Sequence, residues 1–199
     1  TADVYSTWVA GHRGGESEQM IGRWLKRGGQ RDKIIIATKV GMQMPEGKGL
    51  SASHILGAVE GSLKRLGADY IDLYQAHIDD LATPLEETLE AFARLIAAGK
   101  VRAIGVSNYT APRLAQALTT SDAKVLPRFV SLQPDYSLVT RSHYEGALQQ
   151  LCIKENLGVI PYYALAAGFL TGKYRKEADI KGRARADTIG RFFNPRGLD

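Results

Sequence analysis

Short apolar segments alternate with amphipathic helical patterns along most of this 199-residue chain. The segments with strand character are Ile34–Thr38, Tyr70–Gln75, Ala103–Ser107, Phe129–Gln133 and Val159–Tyr162. The helical patterns between them cover Ser17–Arg27, Ser51–Leu66, Pro84–Ala98, Ala111–Thr119 and His143–Asn156. Strands that alternate with helices of about 10–15 residues are typical of βαβ units, so the chain is predicted to form an α/β fold with a parallel sheet.

Two architectures contain such a sheet: an open doubly wound sheet and an eight-stranded β/α barrel. No G-x-G-x-x-G motif follows the first predicted strand, and the glycines of "GHRGGESE" are spaced differently, so a dinucleotide-binding open sheet has little support. A (β/α)8 TIM barrel typically needs about 250 residues. We therefore expect residues 1–199 to form a single incomplete barrel domain that contains only the central five or so βα units.

Composition and charge narrow the class of protein. No apolar run approaches the roughly 20 residues that span a bilayer, and the first residues show no secretory signal, so no membrane partner is expected. The single cysteine, Cys152, excludes an internal disulfide and fits a reducing, cytoplasmic setting. Basic residues are spread along the chain except between Lys173 and Asp187, a run that suits an anionic small molecule; no nucleic-acid partner is expected.

Polar side chains recur where each predicted strand ends. They are Lys39, His77, Ser107 with Asn108, Gln133, and Tyr162 with Tyr163. The carboxyl ends of barrel strands meet at one mouth, where active sites form. Each residue alone has an ordinary structural explanation, such as a surface lysine or a Ser-Asn helix cap. Five coincidences at equivalent positions favour a functional site.

The chemistry that these side chains favour is carbonyl reduction. The four histidines show no metal-ligand spacing, so no metal is expected. A phenol with an ordinary pKa of about 10 is a poor proton donor near neutrality, but a neighbouring ammonium lowers that pKa. A histidine nearby could orient the substrate oxygen, and the hydride would then come from a cofactor.

A series of motifs resembles the aldo-keto reductase family in order and spacing. The motifs are "TADVY" with "GGESE", "IIIATKV", "LGADYIDLYQAH", "GKVRAIGVSN", "SLQPDYSL" and "PYYALAAGFLTGKY". The resemblance implies a β/α barrel that binds NADP(H), usually without metal, and converts small aldehydes or ketones to alcohols or runs the reverse reaction.

The resemblance also implies roles for individual residues. Tyr5 matches the proton-donor tyrosine, Lys39 the lysine that lowers its pKa, and His77 the histidine that orients the carbonyl. The remaining matches belong to the cofactor site: Ser107, Asn108 and Gln133 for the nicotinamide carboxamide, Tyr162 for stacking on the nicotinamide, and Leu165, Ala166, Gly168 and Lys173 for the pyrophosphate loop.

The sequence departs from the family pattern in three respects. The family's catalytic aspartate would precede Thr1, and Asp3 is not expected to replace it, because it lies two residues from Tyr5 and would point elsewhere. Tyr163 and Ala164 stand where Ser-Pro is more usual. Family members also carry two strands before that of Lys39 and one after that of Tyr162. We therefore expect a longer natural protein or a fragment, and an unclosed barrel would favour a homo-oligomer through its exposed edges.

Two alternatives to an enzyme stay open. One is an NADP(H)-binding regulatory subunit similar to channel β-subunits, which resemble this family. The other is an inactive fragment that only binds or associates. The identity of a carbonyl substrate is not encoded in these motifs, because specificity in such barrels lies in the loops.

Overall fold

We describe residues 1–194 in a computed structural model of the chain. The strands are β1 (Ala37–Val40), β2 (Ile71–Ala76), β3 (Val101–Ser107), β4 (Phe129–Gln133) and β5 (Gly158–Val159). The α-helices are α1 (Glu16–Lys26), α2 (Ala52–Leu66), α3 (Leu85–Ala97), α4 (Ala111–Lys124), α5 (Ala147–Lys154) and α6 (Ala186–Gly190). Short 3₁₀ helices cover Arg31–Lys33, Ala166–Thr171 and Glu177–Ile180. In this part of the chain, no helix combines the length and the hydropathy required to cross a bilayer.

The sheet confirms the predicted α/β class. Its five strands lie in chain order, β1-β2-β3-β4-β5, and β2 pairs in parallel with both β1 and β3. A doubly wound sheet reverses its strand order at a switch point, and this sheet has no such reversal. Successive βα units that add strands in one direction are consistent with part of a (β/α)8 barrel.

The chain forms two compact units, one of residues 1–132 and one that starts at Gln133. The first unit contains α1 to α4 and β1 to β3 together with most of β4. The second contains the remaining helices and the irregular segment around residues 160–185. The single-domain organisation expected for residues 1–199 stays a prediction.

An aromatic cluster fills the layer between sheet and helices in the first unit. The Phe92 ring of α3 contacts the rings of Tyr74 and Phe129 edge-on, at centroid distances of 5.8 and 6.2 Å. Tyr109 extends the cluster from the other side of Phe129. All three side chains central to the cluster are less than 2% exposed. Such edge-to-face pairs add to the stabilisation that burial of large apolar area supplies.

The opposite face of the same strands carries a polar row. Lys39 of β1 pairs in register with Gln75 of β2, which pairs with Gly105 of β3. Paired residues of neighbouring strands point to the same face. A Cβ at Gly105 would lie 2.3 Å from Oγ of Ser131, so only glycine allows this close approach between β3 and β4. Lys39, Gln75 and Ser131 are all at most 4% exposed, so this row is an interior layer rather than a surface.

Several element boundaries differ from the sequence-based prediction, and three of them have a clear description in the fold. The first strand begins at Ala37 and includes Lys39, because Ile35 is 83% exposed before the strand and the ladder with β2 starts only beyond it. Strand β5 stops at Val159 because Pro161 has no N–H to donate to a ladder; Tyr162 instead forms an isolated bridge with Asp135. Helix α4 continues five residues beyond Thr119, to Lys124.

Helix ends in the first unit follow the sequence signals. The Ser51 side chain accepts a hydrogen bond from the His54 N–H at the start of α2. Gly67 ends the same helix with φ of 60°, a left-handed conformation that glycine adopts without steric cost. These two residues fix the length of α2, whose C-terminal turn contacts α1.

A fully buried carboxylate connects α1 to β1 and α2. Glu18 of α1 is 0% exposed, and its Oε1 accepts a hydrogen bond of 2.6 Å from the Thr38 hydroxyl. Its other oxygen, Oε2, pairs with Nε of Arg65 at 2.7 Å. The backbones of α1 and α2 also approach closely near this contact. A Cβ at Gly22 would lie only 2.3 Å from the Arg65 carbonyl oxygen, so the position requires glycine. Glu18 therefore fixes the position of α1 against the strand that carries Lys39.

The second unit has its own small core. Ala166, Phe169, Ile180, Ile189 and Phe192 are buried together. The Phe169 ring packs on Phe192 at a centroid distance of 5.5 Å. This cluster holds the irregular segment after β5 on the short helices that follow it.

We expect Glu18→Ala to lower the free energy of unfolding by about 3–5 kcal/mol, because it leaves the partly buried Arg65 guanidinium and the buried Thr38 hydroxyl without their partner. Urea denaturation followed by circular dichroism measures the change. The double variant Glu18→Leu with Arg65→Met should recover part of this loss, since an apolar pair leaves no unpaired charge. Glu60→Ala is the matched control: Glu60 pairs with Lys100 at the surface, so it should cost less than about 1 kcal/mol. A loss of the same size in the control would contradict a special role for Glu18.

Candidate active site

Tyr5, Lys39 and His77 lie side by side in the first unit. Nζ of Lys39 is 3.2 Å from the Tyr5 hydroxyl oxygen and 4.8 Å from the centroid of its ring. The Tyr5 and His77 rings meet edge-on with centroids 5.8 Å apart. A phenol, an amine and an imidazole from three separate segments therefore share one site. Their catalytic roles stay predictions.

Burial shapes the properties of the lysine. Lys39 is 3% exposed, and its ammonium also donates a hydrogen bond of 2.8 Å to the Thr1 carbonyl oxygen. Desolvation lowers the pKa of Lys39 to about 8, while the charge of Asp3 opposes this shift. Within residues 1–194, no carboxylate is within ion-pair distance of Lys39. At neutral pH the amine is still mostly protonated, so it can stabilise a phenolate beside it.

His77 is held in its neutral form. It is 8% exposed, and burial together with the charge of Lys39 lowers its pKa to about 4. Its backbone is fixed on both sides: the His77 N–H donates to the Val40 carbonyl oxygen at 2.8 Å, and its own carbonyl accepts from Nδ2 of Asn108 at 3.0 Å. A neutral imidazole can donate a hydrogen bond to a substrate oxygen without carrying charge.

The segment that carries Tyr5 runs along β1. Thr1 and Asp3 donate their backbone N–H groups to the carbonyl oxygens of Ala37 and Lys39, at 2.9 and 3.2 Å. The segment then turns back to α1, where the Gly15 N–H donates to the Asp3 carbonyl. These bonds bring Tyr5 alongside Lys39, although 34 residues separate the two in sequence.

Two predicted cofactor ligands lie at the end of β3. Ser107 is 1% exposed, and its Oγ accepts a hydrogen bond from Nδ2 of Asn108 at 3.1 Å. Asn108 has φ of 59°, a left-handed conformation that asparagine tolerates better than most residues. It turns the chain from β3 into the Thr110 cap of α4. Asn108 therefore joins the end of β3 to the carbonyl of His77.

The other predicted cofactor ligands belong to the second unit. Gln133 is the last residue of β4. Tyr162 bridges to the segment after it: its N–H donates to the Pro134 carbonyl at 2.9 Å, and its carbonyl accepts from the Tyr136 N–H. The ring of Tyr162 contacts that of Tyr163 edge-on at 5.3 Å.

The predicted pyrophosphate loop has an unusual backbone. Ala166, Ala167 and Gly168 all have positive φ values, of 49°, 58° and 109°. Left-handed non-glycine residues cost of order 1–3 kcal/mol each and cluster at ligand sites. Leu165 is exposed before this turn, whereas the two alanines are buried in the core of the unit. The core therefore maintains a strained loop that the local sequence disfavours.

A basic cavity of about 370 Å³ follows this loop. Lys173, Tyr174, Arg175 and Arg183 line it, together with Asp179, whose carboxylate already accepts the N–H groups of Arg175 and Lys176. Three cations around one carboxylate suit the phosphate groups of a dinucleotide. Sequence motifs assigned only Lys173; the basic run from Lys173 to Asp187 was the signal for the two arginines.

Within the described residues, 1–194, no group of three or more His, Cys, Asp or Glu side chains has the arrangement of a metal site. Ser107, Asn108, Gln133 and Tyr162, with the basic cavity, are instead groups that hydrogen-bond, stack or pair with an organic anion. Within each unit, these groups are of the kinds that a nicotinamide dinucleotide needs: amide and hydroxyl groups in the first unit, and an aromatic ring and cations in the second.

Comparison with known proteins agrees with these features. Residues 1–194 match the profile of the Aldo/keto reductase family. Aldo-keto reductase YhdN of Bacillus subtilis is 36% identical over 186 residues, which cover 92% of this chain and 54% of that protein. Protein tas of Escherichia coli is 37% identical, over 96% of this chain and 62% of its own length. A putative voltage-gated potassium channel subunit beta of Schizosaccharomyces pombe is 36% identical over 87% of this chain and 50% of its own length. The chain thus spans between half and two thirds of these relatives.

We expect the imidazole of His77 to titrate with a midpoint near pH 4 in NMR spectra of its ring protons. The unfolded chain binds this proton at the ordinary histidine pKa of about 6.5. The free energy of unfolding should therefore rise with pH between about 4 and 6.5, and above pH 6.5 His77 should no longer change it. Lys39→Met should move the midpoint upward, since it removes a repelling charge. A midpoint near 6.5 in the native protein would contradict this burial and charge environment.

Proposed function

Because this chain belongs to the aldo/keto reductase family, an oxidoreductase family, we propose that the intact protein reduces small aldehydes or ketones to alcohols with NADPH. The observation that carries the proposal is the contact of 3.2 Å between Nζ of Lys39 and the Tyr5 hydroxyl. It places an ammonium beside a phenol in a site of low exposure, which is an arrangement for proton donation. When bound, the nicotinamide cofactor supplies a hydride to the carbonyl carbon.

In this proposal Tyr5 gives its proton to the carbonyl oxygen of the substrate. The resulting phenolate lies beside the Lys39 ammonium, which stabilises it and so lowers the pKa of the phenol. The lysine is mostly protonated at neutral pH because its own pKa is about 8. Reprotonation of Tyr5 from solvent then completes the cycle. In the alcohol oxidation direction the same phenolate would accept the proton.

His77 orients the carbonyl in this proposal. Since its pKa is lowered to about 4, it is neutral at working pH and does not compete with Tyr5 as the acid. Its fixed backbone, bonded to Val40 and Asn108, limits the positions that the ring can take. A neutral donor of fixed position favours one orientation of the substrate oxygen.

In this proposal, separate groups of residues bind separate parts of the cofactor. Ser107, Asn108 and Gln133 would bind the nicotinamide carboxamide, and Tyr162 would stack on its ring. The loop Leu165, Ala166 and Gly168, with Lys173, would bind the pyrophosphate. We add Arg175 and Arg183, which line the same basic cavity as Lys173. These three cations would favour NADPH over NADH if one of them pairs with the 2′-phosphate, which NADH lacks.

A second candidate function is an NADP(H)-binding regulatory subunit. It is favoured by the relatives named as channel β-subunits, from Schizosaccharomyces pombe at 36% identity and from rice at 34%. Such a protein would bind the cofactor with little turnover. We rank it second because Tyr5 contacts both Lys39 and His77. Localisation in the cytoplasm and assembly into a homo-oligomer stay predictions.

We expect Tyr5→Phe to lower the turnover number for aldehyde reduction by about 10²–10⁴-fold, the range of a general acid, while NADPH binding persists. Loss of cofactor absorbance with a panel of aldehydes measures turnover, and NADPH fluorescence measures binding. Tyr144→Phe is the matched control and should retain turnover, because the Tyr144 ring packs on Tyr136 in the second unit. Unchanged reduction by the Tyr5 variant would refute its role; NADPH binding without reduction by the native protein would favour the regulatory subunit.

Charge removal in the basic cavity should weaken cofactor binding. We expect Lys173→Met and Arg183→Gln each to raise the Kd for NADPH by about 10-fold or more, since hydrogen bonds to charged groups contribute about 1.5–3 kcal/mol. The loss for NADH should be smaller if the cavity binds the 2′-phosphate. Lys154→Gln on α5 serves as the control, because this exposed lysine lies outside the cavity lining. Equal affinities in all three variants would refute the assignment.

A further inference from the structure

The first unit contains a cavity that the residues assigned to carbonyl reduction do not line. It has a volume of about 460 Å³ and lies between α2 and the loop that follows β1. Its lining does not include Tyr5, Lys39 or His77. This volume is far larger than the roughly 30 Å³ that one water molecule occupies in the liquid, and it falls in the range of small-molecule sites.

One buried carboxyl group lines this cavity. Asp3 is 2% exposed, and its side chain accepts one hydrogen bond in the described part of the chain, at 2.6 Å from the Val4 N–H to Oδ1. No cation in that part of the chain lies within ion-pair distance of it. A carboxylate removed from water without a paired cation is costly. Burial and the nearby charge of Glu18 accordingly raise the pKa of Asp3 to about 7.

His54 also lines this cavity and contributes a polar side chain. Nε2 of His54 is buried and makes no hydrogen bond within residues 1–194. When the imidazole carries its proton on Nδ1, this atom is an acceptor. Buried polar atoms without a partner are rare in native proteins, so this part of the cavity wall is polar and incompletely hydrogen-bonded.

The helix wall leaves room for such a ligand. Gly57 and Gly61 are one turn apart on α2, and both line the cavity without a side chain. Met44, which is 6% exposed, supplies an apolar wall from the loop after β1. An open helix surface, an apolar wall and polar acceptors together suit a small organic molecule that has an apolar part and a group with hydrogen-bond donors.

The charges around the cavity favour a cation over an anion. Arg65 also lines it, but its guanidinium is paired with Glu18 at 2.7 Å. At the exposed rim, Lys48 and Glu46 carry opposite charges. The remaining unpaired charge is that of Asp3, with Lys39 behind it on the strand. The cavity therefore offers hydrogen-bond acceptors and the negative charge of the ionised Asp3 carboxylate.

We propose that this cavity binds a small organic cation with N–H donors, a primary ammonium or a guanidinium compound, whose head donates to the Asp3 carboxylate. A metal ion fits less well, because the described residues contain no group of three metal-ligating side chains. An ammonium or guanidinium group has several N–H donors and a positive charge, both of which match a carboxylate. Tyr5, Lys39 and His77 do not line this cavity, so amine binding and carbonyl reduction can be tested by separate measurements.

The test is titration of the whole chain with propylammonium and methylguanidinium, followed by ¹H–¹⁵N NMR shifts of the Val4 and Gly61 amides. We expect saturable binding that strengthens about tenfold between pH 6 and pH 8, because Asp3 becomes ionised through its pKa of about 7. Tetramethylammonium, which has the charge but no N–H donor, should bind at least tenfold more weakly. Equal binding of tetramethylammonium, affinity independent of pH, or no saturable binding at all would overturn the proposal; the last would leave water as the occupant.

Variants separate this site from non-specific binding. Asp3→Asn keeps the size of the side chain and the acceptor for the Val4 N–H, and it should weaken amine binding by about 10-fold or more. Asp32→Asn is the matched control on an exposed 3₁₀ turn and should change affinity less than twofold. Amine binding that is equal in both variants would refute the assignment. The pH dependence of the native protein decides the question if Asp3→Asn does not fold.

Discussion

Burial of one ammonium group is the constraint on which the first unit depends. Lys39 lies within β1 at 3% exposure, where desolvation lowers the pKa of its amine. A group of this kind is retained in an interior only where partners and a polar surrounding reduce the cost. Here the partners are the Thr1 carbonyl and the Tyr5 hydroxyl, and the surrounding is the polar row with Gln75. Tyr5 lies beside this ammonium, and the charge of Lys39 adds to the effect of burial in keeping His77 neutral.

Other contacts hold the elements around Lys39 in place. Glu18 joins α1 to Thr38, the residue before Lys39, and to Arg65 of α2. The segment that carries Tyr5 is therefore fixed at both ends, along β1 and at the start of α1. In the second unit, a hydrophobic cluster around Phe169 maintains two left-handed alanines after β5. In both units, packing stabilises a local arrangement that would be unfavourable on its own.

Local patterns predicted most of the secondary structure and failed where tertiary contacts decided the boundary. Strand β4 has the predicted bounds, Phe129–Gln133, and α2 begins and ends at its predicted cap residues. The isoleucine-rich start of the first strand was wrong, because β propensity reports how well a side chain fits a half-buried sheet, and Ile35 is mostly exposed. Helix α4 continues through a polar turn that the pattern did not reveal. There the Ser121 hydroxyl bonds the Pro127 carbonyl, a contact visible only in the fold.

The sequence by itself determined the order and type of the five strands and of α1 to α5, and the parallel α/β class. Hydrophobic periodicity and helix caps act over a few residues, so they can be read without coordinates. Only the tertiary structure decided that Lys39 lies inside its strand, that Arg175 and Arg183 share a cavity with Lys173, and that Asp3 and Glu18 are buried. Burial and hydrogen bonding of such groups depend on strand register and helix packing between distant segments, which no local pattern encodes.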